Sequence, residues 1–417
     1  MLDAVDAVMA EVEVPGAAVA VVRDGEPLHA RGYGFANLEW RGPAGTDTVF
    51  RLASLTKSFT ATAILLLEAE GRLRLDDRLG QHLPDYPAPG RDVTLRQLLQ
   101  HSSGIPNYTA LPGLYQDFAV KDHTPAELFA QFRDLPLDFL PGTDFRYSNS
   151  GYALLGGVIE ACAGVAYADF LQARIFAPLG MTATRYLGND PVVPHRAAGY
   201  RRAEGGYANA PYLSMTVPYA AGALGSTLDD LMRLDRALRR GELLDHATQA
   251  RMAEPLVLAD GLRVGYGLGW RLGTYRGAPV VHHAGGINGF STFFARFREG
   301  GLTIILLTNL GNFEPASLTR RLAEAVLGNS REPAVAVTGD PAVLARVPGT
   351  YLEGEALVTV ARAGEGLDIR GPSLTAHLVP SGGAAFRAAD DADTEVRFEG
   401  PHMLIERPFS WSLARRI

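Results

Sequence analysis

The run Ser54-Leu55-Thr56-Lys57-Ser58-Phe59-Thr60-Ala61-Thr62-Ala63-Ile64-Leu65-Leu66-Leu67-Glu68-Ala69-Glu70 governs how the rest of this chain is read. From Leu55 onward it holds no Gly or Pro, is apolar on nearly every helical face and stops at Gly71. Those features describe a helix buried at the centre of a fold. Ser54 and Lys57 open that helix. Three residues apart, their side chains lie on one face a single turn from each other, placed to exchange a proton. The first turn also leaves backbone N–H groups unpaired and points the positive end of the helix dipole at whatever Ser54 attacks. Burial should hold the Lys57 amine below its ordinary pKa, so that a neutral amine takes the serine proton. The plain alternative is a Ser54 N-cap followed by a solvated lysine, and the spacing alone does not decide between them.

Composition tilts the balance. The 417 residues carry 39 Lys+Arg, yet the only lysines are Lys57 and Lys121. Arginine stays protonated, whereas a buried lysine can lose its proton, so a lysine retained in such a chain is a candidate for work arginine cannot do. With 47% hydrophobic residues the chain can bury a large core and is long enough for more than one domain. A formal charge of −7 with signs mixed and no basic cluster argues against nucleic acid as a partner. A small molecule or short peptide is the expected one, and no pattern specifies an oligomeric state. No apolar run approaches the roughly 20 residues of a membrane span. The acidic opening Met1, Asp3, Asp6, Glu11 lacks the basic start of a secretory signal, which suggests a cytoplasmic chain, or a periplasmic or secreted one if a leader has been trimmed. Cys162, the only cysteine, excludes an intramolecular disulfide and any cysteine-based metal site, and is expected to pack in a helical core.

Before the central helix, a short helix from Leu2 to Val12 precedes Gly16 to Arg23 and Leu28 to Asn37, which read as an antiparallel hairpin around the Asp24-Gly25 turn. After it, helices alternate with Gly- and Pro-rich loops to about residue 280, forming a mostly helical subdomain. Strand character returns in Val280 to His283, Ser291 to Arg298 and Thr303 to Asn309, followed by a helix from Pro315 to Leu327. The expected fold is therefore mixed α/β (α+β). An antiparallel sheet joins the N-terminal hairpin to these later strands, helices flank it, and the helical subdomain is inserted between, with a cleft at the junction. Past Gly328-Asn329-Ser330-Arg331-Glu332-Pro333, short alternating segments punctuated by glycines favour a small all-β barrel or sandwich. The expected division is residues 1–330 and 331–417.

Two further clusters carry chemistry. Tyr147-Ser148-Asn149 lies between the turn Pro141-Gly142-Thr143-Asp144 and a helix beginning near Gly151, a loop position from which side chains can be aimed at a site. The phenol could relay a proton and Asn149 could orient Lys57 or a substrate amide. Alternatively, Tyr147 is packing and Asn149 caps the helix. Val281-His282-His283-Ala284-Gly285-Gly286 ends a strand, so the two histidines point to opposite faces and one alone can face a cleft. Gly285 and Gly286 let a substrate backbone approach closely. Diverging strand neighbours make a poor metal site, and no metal is expected.

Taken in order, Ser54-Leu55-Thr56-Lys57, Tyr147-Ser148-Asn149 and His283-Ala284-Gly285 resemble the three motifs of the serine β-lactamase and penicillin-binding superfamily, in the arrangement of its class C-like branch. Leu98-Leu99-Gln100-His101-Ser102-Ser103-Gly104, Tyr266-Gly267-Leu268-Gly269-Trp270 and Gly286-Ile287-Asn288-Gly289-Phe290 look like the same family's wording. The resemblance covers about residues 1 to 330. It implies a Ser54 acyl-enzyme, general-base and general-acid duty shared by Lys57 and Tyr147, His283 beside the reacting group, and an oxyanion held by the N–H groups of Ser54 and Gly286. It implies no cofactor. The departure is His283, where β-lactamases and DD-peptidases carry lysine, because a mostly neutral imidazole does not supply a permanent charge for a substrate carboxylate. His-x-Gly variants look like D-aminopeptidases and β-lactamase-like esterases, and the β-rich tail is similar to the lipocalin-like barrels attached to D-aminopeptidases. The implied activity is hydrolysis of a D-amino-acid amide or peptide, or of an ester. The alternatives are a β-lactamase or DD-carboxypeptidase, or a penicillin-recognising binding protein that acylates without turnover.

Overall fold

The strand Gly16–Arg23 is buried along almost its whole length because it is covered on both faces and paired on both edges. In the computed structural model, which describes residues 2–188, 190–328, 337–353, 356–391 and 393–417, it pairs antiparallel with Glu26–Asn37 on one side and with Leu302–Thr308 on the other. Residues nearly 300 positions apart thus share one sheet, in register from Ala17 opposite Thr308 to Arg23 opposite Leu302. The full order is Arg271–Tyr275, Ala278–Ile287, Phe290–Phe297, Leu302–Thr308, Gly16–Arg23, Glu26–Asn37, Gly42–Pro43. This is the antiparallel sheet expected from the hairpin and the late strands, with the helical part inserted between them.

The central helix runs Thr56–Ala69, entered through a tight turn at Ala53–Leu55. Eleven of its side chains are buried, Lys57 among them, as an all-round apolar face requires. Gly71, at φ +70, ends it in the left-handed conformation that glycine adopts without a Cβ penalty. It packs against the helix Asn149–Ala163 of the inserted part. That helix starts two residues before the expected Gly151, because the Ser148 hydroxyl accepts the Gly151 N–H and so acts as the N-cap. Asn149 is not the cap. It stands in the first turn with its amide free to point elsewhere. Among the described residues no single helix is long and apolar enough to cross a membrane.

By packing, the chain divides into two units, Met1–Arg271 with Val281–Val326, and Leu272–Val280 with Leu327–Ile417. The second contains a closed eight-stranded antiparallel barrel running from Gly349–Glu353 to Ser410–Arg416, its ends joined by Tyr351 opposite Arg416. Closure removes the exposed edges a sandwich would leave. Val358, Ile369, Leu378, Phe386, Val396 and Met403 fill its interior. A short helix, Pro341–Arg346, that the alternating pattern does not announce adds Val343 and Leu344 to the same core. The expected boundary at 330/331, and most of the Gly328–Pro333 stretch, lie outside the described residues.

Candidate active site

Ser54 sits on a strained turn. Ala53 before it has φ +50, a conformation a residue with a Cβ adopts at a cost of about 1–3 kcal/mol. Leu52 holds the turn: its N–H donates to Leu224 O at 2.8 Å, while its carbonyl accepts from Leu55 N at 3.2 Å and Thr292 Oγ1 at 2.9 Å. Ala53 and Leu55 are buried, and Ser54 between them is half-exposed. The strand carrying Gly285 presses on the same turn. A Cβ at Gly285 would lie 2.1 Å from Leu52 O, 2.3 Å from Thr292 Oγ1 and 3.2 Å from Ala53 Cβ. Gly286, next along, borders a cavity of about 250 Å³ together with Ser54, Asn149, Tyr115, Leu213 and Ile287.

Lys57 is fully buried, with Nζ 3.2 Å from Ser54 Oγ, 2.8 Å from Asn149 Oδ1 and 2.9 Å from Ala221 O. Asn149 is locked in turn, its Nδ2 donating to Thr109 Oγ1 at 3.0 Å and its backbone N–H to Asn107 Oδ1 at 3.0 Å. Burial first, and then the Arg271 charge, holds the Lys57 amine well below its ordinary range. Tyr147 shifts the other way. Burial pushes its phenol up to about 12, although a hydrogen bond with Ser54 and the Arg271 charge pull it back. Lys57 Nζ lies 4.8 Å from the Tyr147 ring centroid and 5.5 Å from that of Tyr152.

His283 is brought beside Tyr147, with ring centroids 6.3 Å apart, but is 1% exposed and is not part of the cavity lining. Its Nδ1 lies 2.7 Å from Ala284 O, which can only accept, so the ring proton is on Nδ1. Burial, reinforced by the Arg271 charge and by Lys57 whenever its amine is protonated, holds the imidazole well below its ordinary pKa. A neutral ring then offers Nε2 as acceptor, and the Tyr266 O–H donates to it at 3.1 Å. His282 points to the opposite face and stacks on Phe293 at 5.4 Å.

Several neighbours went unassigned in the sequence reading. Arg271 carries its guanidinium 5.6 Å from the Tyr147 ring centroid and lowers the pKa of Lys57, Tyr147 and His283 alike. Its one signal is position, directly after the Tyr266–Trp270 stretch. His101, inside the Leu98–Gly104 stretch, is buried, packs against Tyr147 with the ring centroids 4.2 Å apart and the planes tilted by 34°, and accepts the Ser148 N–H at Nδ1 at 3.0 Å. Cys162 is not in the core. It is half-buried, with Sγ 3.3 Å from His82 Nδ1. Among the described residues no group of three or more His, Cys, Asp or Glu is placed to hold a metal ion.

An antiparallel sheet flanked by helices, with a serine and a buried lysine at the start of the central helix, defines a serine hydrolase of the β-lactamase and penicillin-binding superfamily. A family profile described as Beta-lactamase matches residues 2–327, and the chain belongs to that family. It is 34% identical over 311 residues to penicillin-binding protein 4* of Bacillus subtilis, covering 70% of this chain and 67% of that protein. It is 30% identical over 363 residues to a D-aminopeptidase of Gluconobacter oxydans, covering 84% and 66%. The chain thus spans about two thirds of the length of each. Among solved structures, D-amino acid amidase from Ochrobactrum anthropi SV3 in complex with D-phenylalanine is similar with a TM-score of 0.68 and 28% identity, over 78% of this chain and 98% of that one.

Proposed function

We propose that this chain cleaves an amide or ester bond through an acyl-enzyme on Ser54, with D-amino-acid amides or small D-peptides as the preferred class. The observation that carries the proposal is the surrounding of Lys57 Nζ. A neutral amine has two N–H donors and one lone pair. With the donors directed to Asn149 Oδ1 at 2.8 Å and Ala221 O at 2.9 Å, the lone pair is left for the Ser54 hydroxyl at 3.2 Å. The depressed pKa of that amine is what a general base requires. Tyr147, pushed up to about 12, keeps its proton at neutral pH and is suited to donate it to the departing amine. Opposite shifts in adjacent groups divide base from acid duty.

The steps follow. Ser54 Oγ attacks the carbonyl as its proton passes to Lys57, and the N–H groups of Ser54 and Gly286 face the developing oxyanion. The leaving group takes a proton through Tyr147, and water then releases the acyl group by the reverse route. His283, neutral and accepting from Tyr266, stands beside Tyr147 and orients that side of the site. The cavity residues Ser54, Tyr115, Asn149, Leu213, Gly286 and Ile287 are all uncharged, which suits a substrate without an obligatory carboxylate. The D-aminopeptidase and D-amino acid amidase among the similar proteins support the same class. One observation favours the second reading, a β-lactamase or DD-carboxypeptidase: Arg271 sets a permanent cation 5.6 Å from the Tyr147 ring, where a carboxylate could be drawn.

A panel of D- and L-amino-acid p-nitroanilides, p-nitrophenyl esters and nitrocefin separates these readings. The expected result is turnover of D-anilides and esters ahead of nitrocefin, with Ser54→Ala lowering kcat by at least ~10³-fold. Full activity in Ser54→Ala would sink the mechanism, and nitrocefin turnover equal to the best amide would replace the substrate class.

A further inference from the structure

A second cavity, of about 570 Å³, opens on the side of the first unit where the helix Leu228–Arg240 and the helix His246–Met252 meet the strand Phe290–Phe297. None of the residues that line it also lines the Ser54 cavity. Its floor holds two guanidinium groups on one fully buried carboxylate. Arg239 Nε donates to Asp235 Oδ2 at 2.8 Å and Arg296 Nε to Asp235 Oδ1 at 3.0 Å, the two arginine side chains being 17% and 16% exposed. One further nitrogen of each is engaged, Arg239 Nη2 with Thr303 Oγ1 at 2.6 Å and Arg296 Nη1 with Gln249 Oε1 at 3.4 Å. Two cations therefore share one anion, each held by two of its nitrogens while its side chain lines the cavity.

Charge around the opening has the same sign. Arg240 and Arg298 line the wall and are exposed, with Arg240 loosely paired to Glu242 at 3.5 Å, and Asp24 is the one carboxylate in the lining. His246 and Gln249 add polar groups to the wall, and Trp270, Met252 and Phe297 give it an apolar face. Burial lowers the Arg296 pKa; the Asp235 carboxylate raises it again and the Arg239 charge opposes that, so one anion is shared by two cations.

We propose that this cavity is a binding site for a small ligand that pairs an oxyanion, phosphate or carboxylate, with an apolar body. The oxyanion takes the remaining N–H groups of Arg239 and Arg296, which match its geometry bidentately. The apolar body lies on Trp270. A cavity of this size holds a molecule of a few tens of atoms at most, in the range typical of small-ligand sites. The blander account is that the Asp235 cluster only ties helix to sheet, and that account predicts no ligand.

The test uses phenyl phosphate and benzoate as probes, benzyl alcohol as the uncharged control, and sodium chloride at matched ionic strength. The chain has three tryptophans, Trp40, Trp270 and Trp411, so Trp40→Phe with Trp411→Phe leaves Trp270 as a local fluorophore. Calorimetry on the unaltered chain supplies a second measurement if that background folds poorly. The expected result is saturable binding of one or both anions, weakened at least tenfold by Arg296→Gln and severalfold by Arg240→Gln with Arg298→Gln, a pair that keeps the test open if Arg296→Gln folds poorly and that leaves hydrolysis unchanged. The phosphate and benzoate arms identify the preferred oxyanion. Absence of saturable binding, equal binding of benzyl alcohol, or affinity unmoved in the double variant would each overturn the proposal.

Discussion

Lys57 Nζ stands 4.8 Å from the centroid of the Tyr147 ring while reaching Ser54 Oγ at 3.2 Å, so one buried amine is held between the nucleophile and the phenol. The same burial that drives off the amine proton holds the phenol proton on. Desolvation disfavours whichever form is charged, which is the cation for lysine and the anion for tyrosine.

A pH–rate profile should show that division. Lys57 must be neutral to act, so kcat/KM rises as pH climbs through its lowered pKa. Tyr147 must be protonated, so kcat/KM stays level past about 10, where an ordinary tyrosine ionises, and declines only toward about 12. Lys57→Arg, which cannot shed a proton, should lower kcat by ~10³-fold or more at every pH. A decline in the wild-type profile centred near an ordinary tyrosine pKa would remove Tyr147 from the acid role.

Arg271→Gln tests the cation that the site shares. Arg271 lowers the Lys57 pKa, so its removal lets that pKa rise and moves the acid limb of kcat/KM to higher pH. Activity should drop severalfold on the acid limb of the profile and recover in more alkaline buffer, a pattern simple misfolding would not give. For substrates bearing a carboxylate the same variant should raise KM, and for uncharged esters it should not. An acid limb that stays put would show that Arg271 does not act on Lys57.

How much of this was legible beforehand follows from the range of each interaction. Ser54 and Lys57 are related by local helix geometry, so their spacing carried the pairing directly. Asn149 reaches Lys57 because Ser148, not Asn149, caps the helix, a choice between adjacent residues that pattern reading does not make. His283 was placed correctly on a strand, but alternation tells which face a side chain takes and not how deep it lies. Its partner Tyr266 arrives from 17 residues away. Arg271 and His101 come to Tyr147 through tertiary folding, and although one follows and the other lies within a family-like stretch, local pattern does not say that either side chain meets Tyr147. The barrel was legible as short glycine-bounded strands, while its closure depends on Tyr351 meeting Arg416 from the far end of the module.

Gly285 and Gly286 should respond differently to the same added methyl. At Gly285 the new Cβ would fall 2.1 Å from Leu52 O and 2.3 Å from Thr292 Oγ1, so the strand must move off the turn that holds Ser54. Gly285→Ala is expected to lose about 1–3 kcal/mol of stability by overpacking, and activity with it. At Gly286 no atom lies within 4 Å of the added Cβ. Gly286→Ala should keep stability within about 0.5 kcal/mol while lowering kcat/KM by about tenfold through the methyl at the cavity edge. Thermal melts and kinetics on the two variants check this, and equal melting losses would contradict the contact pattern.

Lys57→Met separates the base from its cost in stability. The wild-type amine is neutral when folded at a pH where the unfolded chain still binds the proton, because its folded pKa is well below 10.5. In that window the unfolded state holds one more proton, so wild-type stability gains about 1.4 kcal/mol per pH unit from this group as pH rises. The gain begins above the folded pKa and ends at the unfolded value. Methionine does not titrate, so the difference between wild type and Lys57→Met should grow with that slope across the window and be flat outside it. Denaturant titrations at a series of pH values measure it directly. A difference that does not change with pH up to 10.5 would mean that Lys57 keeps its proton in the folded chain, and the lone pair assigned to Ser54 would not exist.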